Sequence, residues 1–166
     1  MSIAIRPTVK DDVQKLAEIQ RLCDHHKEAS DTKLATMSEM FGKLESDRFE
    51  HFTIIADEEI VGFVVYKRKG SNLFFRTMQE GEYYLQKICI NPSRQGEGVA
   101  HSAIKVCELY LSDATAYYVV LPVDSEQDKK LYGALGFTDT GRREKVEKDL
   151  ALALYEKRLL TEENNA

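Results

Sequence analysis

The chain has no cysteines at Cys-x-x-Cys spacing, no apolar run long enough to cross a bilayer and no block of like charge. Each absence removes a class of protein. Cys23, Cys89 and Cys107 are odd in number and each falls within an apolar pattern, which argues against a disulfide framework or a zinc site. They read as buried thiols in a reducing compartment. The net charge of −5 is dispersed along the chain, which disfavours wholesale nucleic-acid binding. The opening "MSIAIRPTVKDD" has no apolar core of a secretory leader, so a soluble, cytoplasmic protein without a membrane partner is expected. Its 166 residues are enough for one domain, 1–166, with a substantial core. Glycine is scarce as well, nine in all, and two of the nine stand close together in "NPSRQGEGVA".

What is present alternates between strand and helix patterns. "SIAIRP" reads as a first strand ending at Pro7. Asp11 or Asp12 offers a cap for a helix carrying Val13, Leu16, Ile19 and Cys23 on one face, and Ser30 or Asp31 caps a second with Leu34, Met37, Phe41 and Leu44. Two β-rich runs, 51–56 and 60–67, flank the polar "DEE" of a tight hairpin. A looser stretch leads to a strand over 83–90, and the glycine turn opens a helix whose Ala100, Ala103, Ile104, Cys107 and Leu111 share a face. "AYYVVLPV" is a strand, and a helix runs from a Ser125 cap to Leu135, stopped by Gly136. The terminal segment fits two strands or a strand and a helix; alternation of Leu150, Leu152 and Leu154 favours a strand. The order β-α-α-β-β-β-α-β-α-β-β implies a mixed α/β domain.

The glycine turn can be tested against anion-binding motifs by spacing. The pattern G-x-G-x-x-G meets Gly96 and Gly98 but finds His101 in place of the third glycine, and no ribose acid follows on schedule. The P-loop fails for want of its lysine. A third pattern, Gln/Arg-x-x-Gly-x-Gly/Ala, is met by Gln95, Gly98 and Ala100, after a strand and Pro92 and directly before a helix.

On these residues the sequence resembles the GNAT superfamily of acyl-CoA-dependent N-acetyltransferases. "YLQKICINPSRQGEGVA" is similar to that family's fourth strand and pyrophosphate loop, "VVLPVDSEQDKKLYGALGF" to its fifth strand and fourth helix, and "LALYEKRL" to its last strand. The resemblance implies a mixed, mostly antiparallel central sheet of six to seven strands with about four helices. It also implies transfer of an acetyl group from acetyl-CoA, as co-substrate and without a metal, to an amine acceptor in a ternary complex. It leaves a homodimer open. The alternative is an acyl-CoA-binding or sensor domain without catalysis.

Site residues follow from the same resemblance. Backbone groups of Gln95, Gly96, Glu97, Gly98, Val99 and Ala100 would face the pyrophosphate, backed by the positive end of a helix. Glu97 departs from the family, which commonly carries a basic residue there; its carboxylate must point away or weaken binding. The main chain of Ile88, Cys89 and Ile90 would pair with the pantetheine arm like an added strand. Ser125 stands where the family often carries Asn. Tyr132 falls where the family places a tyrosine near the coenzyme sulfur, suited to give a proton to the leaving thiolate; its plain alternative is packing. Glu82 is the best carboxylate for the base, against an exposed strand-end Glu, with His25, His26 and His51 as alternatives. Acceptor choice belongs to "CDHHKEASDTKL" and "KGSNLFFRTMQEGEYY", where an acidic rim of Asp24, Glu28, Asp31, Glu80 and Glu82 is diluted by Lys27, Lys33 and Arg76.

Overall fold

A computed structural model describes residues 2–24, 29–71 and 76–159, with 29–34 described by their backbone alone. Strand β1 (Ile3–Pro7) pairs antiparallel with β2 (Phe49–Ala56), Ile3 opposite Ala56 and Ile5 opposite Ile54. The hairpin expected at "DEE" is a two-residue turn into β3 (Glu59–Lys67), with Asp57 and Glu58 both left-handed at φ 51° and 68°. That double left-handed geometry matches the twist of the flanking strands. Asp57 is held by Ser2, whose amide donates to Asp57 Oδ1 at 3.1 Å and whose carbonyl accepts the Asp57 amide at 3.0 Å.

Helices α1 (Val13–Cys23) and α2 (Ala29–Glu45) arise from the two apolar stripes. Val13, Leu16, Ile19 and Met40 are buried with Phe63 and Val65 of β3 in one cluster, against which Met37, Phe41 and Leu44 pack. The expected caps differ from those observed. A single 3-10 turn at Lys10–Asp12 precedes α1, and Asp12 sits at the cap in helical geometry with no capping hydrogen bond from its side chain. Its carboxylate is committed to Arg6, Thr53 and the Val9 amide instead. Because α2 already begins at Ala29, Ser30 and Asp31 lie within its first turn rather than at its cap. The expectation of three buried thiols holds for Cys107, whereas Cys23 and Cys89 are only partly covered.

Beyond β4 (Glu82–Ile90), α3 (Val99–Tyr110) is fastened by buried Val99, Ala103, Ile104 and Cys107. Strand β5 (Ala116–Pro122) follows, then α4 (Glu126–Ala134), whose first turn is capped by Ser125 Oγ accepting from the Asp128 amide at 3.3 Å. Gly136, at φ 96°, ends it as expected. The terminal segment forms two strands, β6 (Thr138–Glu147) and β7 (Leu150–Arg158), paired antiparallel with irregularities after Asp139 and Lys145.

The seven strands are ordered β1-β2-β3-β4-β5-β7-β6, mostly antiparallel, with β4 and β5 parallel. The chain divides into two units: Met1–Tyr66 with Lys87–Tyr110, and Lys67–Gln86 with Leu111–Ala166. The second has its own buried cluster of Met78, Tyr84, Ala116, Tyr118 and Leu154. The ladder between β4 and β5 joins Glu82, Tyr83 and Tyr84 to Ala116, Tyr117 and Tyr118 and goes no further, while β4 runs on to Ile90.

Candidate active site

The glycine turn belongs to the first unit. β4 ends at Ile90, the Asn91 side chain accepts from the Ser93 amide at 3.1 Å, and Pro92 opens a 3-10 turn closed by Arg94. Gln95 is extended and its Nε2 donates to the Ile90 carbonyl at 3.3 Å, tying the turn back to the strand end. Gly96 and Gly98 are left-handed, φ 84° and 78°, and a Cβ on either would meet no atom of the described residues within 4 Å. Backbone conformation therefore demands these glycines, and the space above them is open. Gly98 supplies the first helical acceptor of α3, taking the Ser102 amide at 3.2 Å. The amides at the start of a helix have no intrahelical acceptor and carry the positive end of its dipole.

Glu97 resolves the difficulty its charge raises. Its carboxylate oxygens lie 3.2 and 3.3 Å from Arg94 Nε, and Arg94 also pairs with Asp57 at 3.0 Å and Glu59 at 3.9 Å. The acidic side chain is thus turned onto a guanidinium that also holds the β2–β3 hairpin. Sequence reasoning missed Arg94; the signal was an arginine three residues before an ill-fitting glutamate. It also missed Gly62. A Cβ there would collide with the Cys89 carbonyl, and the Asn91 amide donates to Val61 at 2.7 Å, so Gly62 lets the end of β4 approach β3 closely. Ile88, Cys89 and Ile90 lie at this end, past the ladder with β5.

Tyr132, Ser125 and Glu82 belong to the second unit. Tyr132 is 5% exposed and packs edge-on against Phe137, centroids 5.5 Å apart. Burial, with lesser effects from Asp128 and Tyr84, pushes its phenol well up, so it stays a protonated donor. Ser125 spends an oxygen lone pair on the α4 cap, leaving its proton available. Glu82 is not an exposed strand end; it is buried, 6% exposed. Arg76 grips both oxygens at 3.1 and 2.8 Å, the Gln79 amide donates at 2.7 Å and the Tyr118 hydroxyl at 3.0 Å. Burial alone would push the carboxyl up; Arg76, Gln79 and Tyr118 outweigh it and hold it below the usual range. Within the acidic rim expected from sequence, Glu82 is therefore neutralised by Arg76.

Of the histidines offered as bases, His25 and His26 lie outside the described residues. His51 is buried, stacked on Phe63, with Nδ1 2.8 Å from Thr8 Oγ1. Thr8 Oγ1 is 2.9 Å from Thr53 Oγ1, which donates to Asp12 at 3.0 Å. Arg6 and the Val9 amide keep Asp12 charged, outweighing its burial. An ionised carboxylate can only accept, so the proton order follows: Thr53 gives to Asp12, Thr8 to Thr53 and His51 Nδ1–H to Thr8. Nε2 is left as a lone-pair acceptor, buried and without a partner among the described residues. Burial, then Lys43 and Lys87, pushes His51 down to about 4. It is neutral at neutral pH and a weak base.

Comparison with known proteins places this arrangement. The sequence pattern of the acetyltransferase (GNAT) family matches residues 13–137, and the chain belongs to that family. No curated protein matches it at the sequence level. Among solved structures it is similar to a Salmonella typhimurium acetyltransferase that modifies the N-terminal serine of ribosomal protein L7/L12 (12% identity, TM-score 0.75, 96% of each chain). It is also similar to a spermidine N-acetyltransferase chimera from Vibrio cholerae and hSSAT (14%, 0.74, 95% of this chain and 96% of that one). A third is the PaiA N-acetyltransferase of Thermoplasma acidophilum in complex with coenzyme A (13%, 0.66, 96% and 100%). At such identities the likeness concerns the fold. Among the described residues no group of His, Cys, Asp and Glu is placed to hold a metal ion, and no helix is long and apolar enough to span a membrane.

Proposed function

We propose that the protein transfers an acetyl group from acetyl-CoA to a primary amine of a small molecule or a peptide, by direct attack in a ternary complex. The observation that carries this reading is the turn at 95–100: two left-handed glycines under open space at the start of α3, with the one acidic side chain drawn aside by Arg94. The amides of this turn would hold the pyrophosphate. The main chain of Ile88, Cys89 and Ile90 would pair with pantetheine, and one of its amides would polarise the thioester carbonyl.

The neutral amine attacks that carbonyl carbon, the C–S bond breaks, and Tyr132 gives its proton to the departing thiolate. A phenol kept protonated by burial suits that step, and the Ser125 hydroxyl is a further donor toward the pantetheine. Glu82 enters this reading as a fixed anion that orders Arg76 and Tyr118. For it to take the amine proton, directly or through water, one of its present bonds must open. The amine's proton otherwise passes to solvent.

The test is titration calorimetry with acetyl-CoA, CoA and ATP side by side, followed by a panel of amines with release of CoA thiol as the readout. Acetyl-CoA and CoA should bind and ATP should not; Gly98→Val should abolish binding while the fold persists. Tyr132→Phe should lower turnover by about 10²-fold with affinity for acetyl-CoA unchanged. Binding without thiol release against any amine would identify a sensor domain. Unchanged affinity in Gly98→Val would remove the turn from the site.

A further inference from the structure

Arg94 reaches from the glycine turn to the β2–β3 hairpin, all within the first unit. Its Nη2 donates to Asp57 Oδ2 at 3.0 Å, its Nη1 lies 3.9 Å from Glu59 Oε2, and its Nε faces both Glu97 oxygens at 3.2 and 3.3 Å. Asp57 is held in turn by Ser2, and the Arg94 amide is fixed on the Asn91 carbonyl at 2.8 Å. The guanidinium and its main chain are therefore placed independently of Glu97. Glu97 has no such support. It stands between two left-handed glycines under open space, its side chain 43% exposed against 18% for Arg94, and among the described residues Arg94 alone bonds its carboxylate. We propose that Arg94 is a positioning residue for coenzyme binding: braced on the hairpin, it holds the Glu97 carboxylate away from the pyrophosphate and so sets the affinity for acetyl-CoA. This rests on the reading of the turn as the pyrophosphate site.

Ion pairs this exposed contribute little to folding. Their effect falls on the charge that the turn receives. A pyrophosphate over the turn amides brings two negative charges beside a third. With the carboxylate on Arg94, that third charge is paired and drawn aside; released, it is an unpaired anion on the turn itself. Two charges facing a third at about 8 Å in water repel enough to weaken binding about fivefold. Three carboxylates already occupy the guanidinium, so Arg94 acts through Glu97 rather than by touching phosphate. The planar fork matters as well: Nε faces the turn while Nη2 faces the hairpin, and a lysine ammonium has no two fixed edges to offer.

Calorimetric titration of the full chain with acetyl-CoA, over a double-mutant cycle of Arg94 and Glu97, tests the proposal. Arg94→Gln should weaken binding about fivefold at low salt and Arg94→Lys by part of that. The loss should fade at about 1 M salt, where charges are screened beyond about 3 Å. Glu97→Gln should restore affinity in the Arg94→Gln background, yet shift it less than about twofold on its own, because its charge is already drawn aside. Asp57→Asn, which removes the same charge from the hairpin, should restore nothing. Should Arg94→Gln not fold, the cycle is run with Arg94→Lys, with the same coupling at smaller size.

Additive effects at Arg94 and Glu97 would mean two independent charges and overturn the proposal. So would wild-type affinity in Arg94→Gln, or a loss there that Glu97→Gln leaves in place, since the guanidinium would then meet the phosphates itself. Gly98→Val separates these failures from that of the turn. If it abolishes binding, the turn remains the pyrophosphate site and only the role of Arg94 is lost; if it binds as the wild type does, both fall together.

Discussion

Asp12 in the first unit and Glu82 in the second are buried carboxylates with the same three kinds of partner. Each is paired with an arginine six residues earlier, accepts a backbone amide from three residues earlier, and takes a hydroxyl from a strand side chain distant in sequence. What differs is the next bond. The Thr53 hydroxyl passes the polarity on through Thr8 to His51, ending on a ring nitrogen whose lone pair has no partner among the described residues. The Tyr118 hydroxyl accepts from Arg158 at 3.2 Å, and a second cation, Arg76, lies over its ring at 5.0 Å. A carboxylate linked to hydroxyls orders protons along the chain; one surrounded by guanidinium groups has its charge cancelled where it stands. The same local device therefore sets a tautomer in one unit and closes an ion cluster in the other.

The most damaging way to break the pair is to remove either carboxylate. Asp12→Ala and Glu82→Ala each strand a guanidinium and an amide. Each should cost about 3 kcal/mol, the low end of the range for a broken buried pair, because the arginine side chains are 39% and 32% exposed. Denaturant titration checks this. A cost under about 1 kcal/mol for one of them alone would show that the likeness is geometric only.

Acid separates the two networks next. His51, at about 4 in the folded state, ionises near 6.5 when unfolded. Its contribution is therefore fully present above the unfolded value and is lost as pH falls between the two. On the order of 3 kcal/mol is at stake in that window. His51→Gln should flatten the stability profile between about pH 6.5 and 4; an unchanged slope would mean that His51 does not titrate with unfolding. Asp12 and Glu82, both held below their usual range, lose their contributions at lower pH, as the folded state itself protonates them.

Smaller effects should still be unequal. Thr53→Val interrupts the relay and leaves Asp12 and Thr8 each short of a partner, at about 2 kcal/mol, whereas Tyr118→Phe removes one donor from a carboxylate that keeps three others, at about 1 kcal/mol. Equal losses would remove the distinction between a relay and a closed cluster. The smallest effect is expected in activity. Glu82→Gln should leave the shape of the pH–rate profile unchanged near neutrality, because the carboxyl ionises far below that range. Loss of a neutral-pH limb in the variant would return Glu82 to the role of base.

The order of strands and helices was legible because apolar spacing reports which face each segment buries, and the glycine turn between β4 and α3 was legible because its glycines, proline and helix are adjacent in sequence. Side-chain partners were not. Asp12 reads as a helix cap since a carboxylate before an apolar stripe usually is one, yet Thr53, 41 residues away, and Arg6 claim it. Glu82 reads as a solvent-facing strand end because nothing local reveals that Arg76 and Tyr118 converge on it.

Sequence by itself determined the period of each element, the strand-to-helix turn at Gly96 and Gly98 and the family to which the chain belongs, since these rest on residues near one another along the backbone. Only the tertiary structure decided which carboxylates are neutralised, which nitrogen of His51 carries its proton and where Glu97 points. Hydrogen bonds and ion pairs are short-ranged and directional, so their partners are settled by which strands the sheet sets side by side.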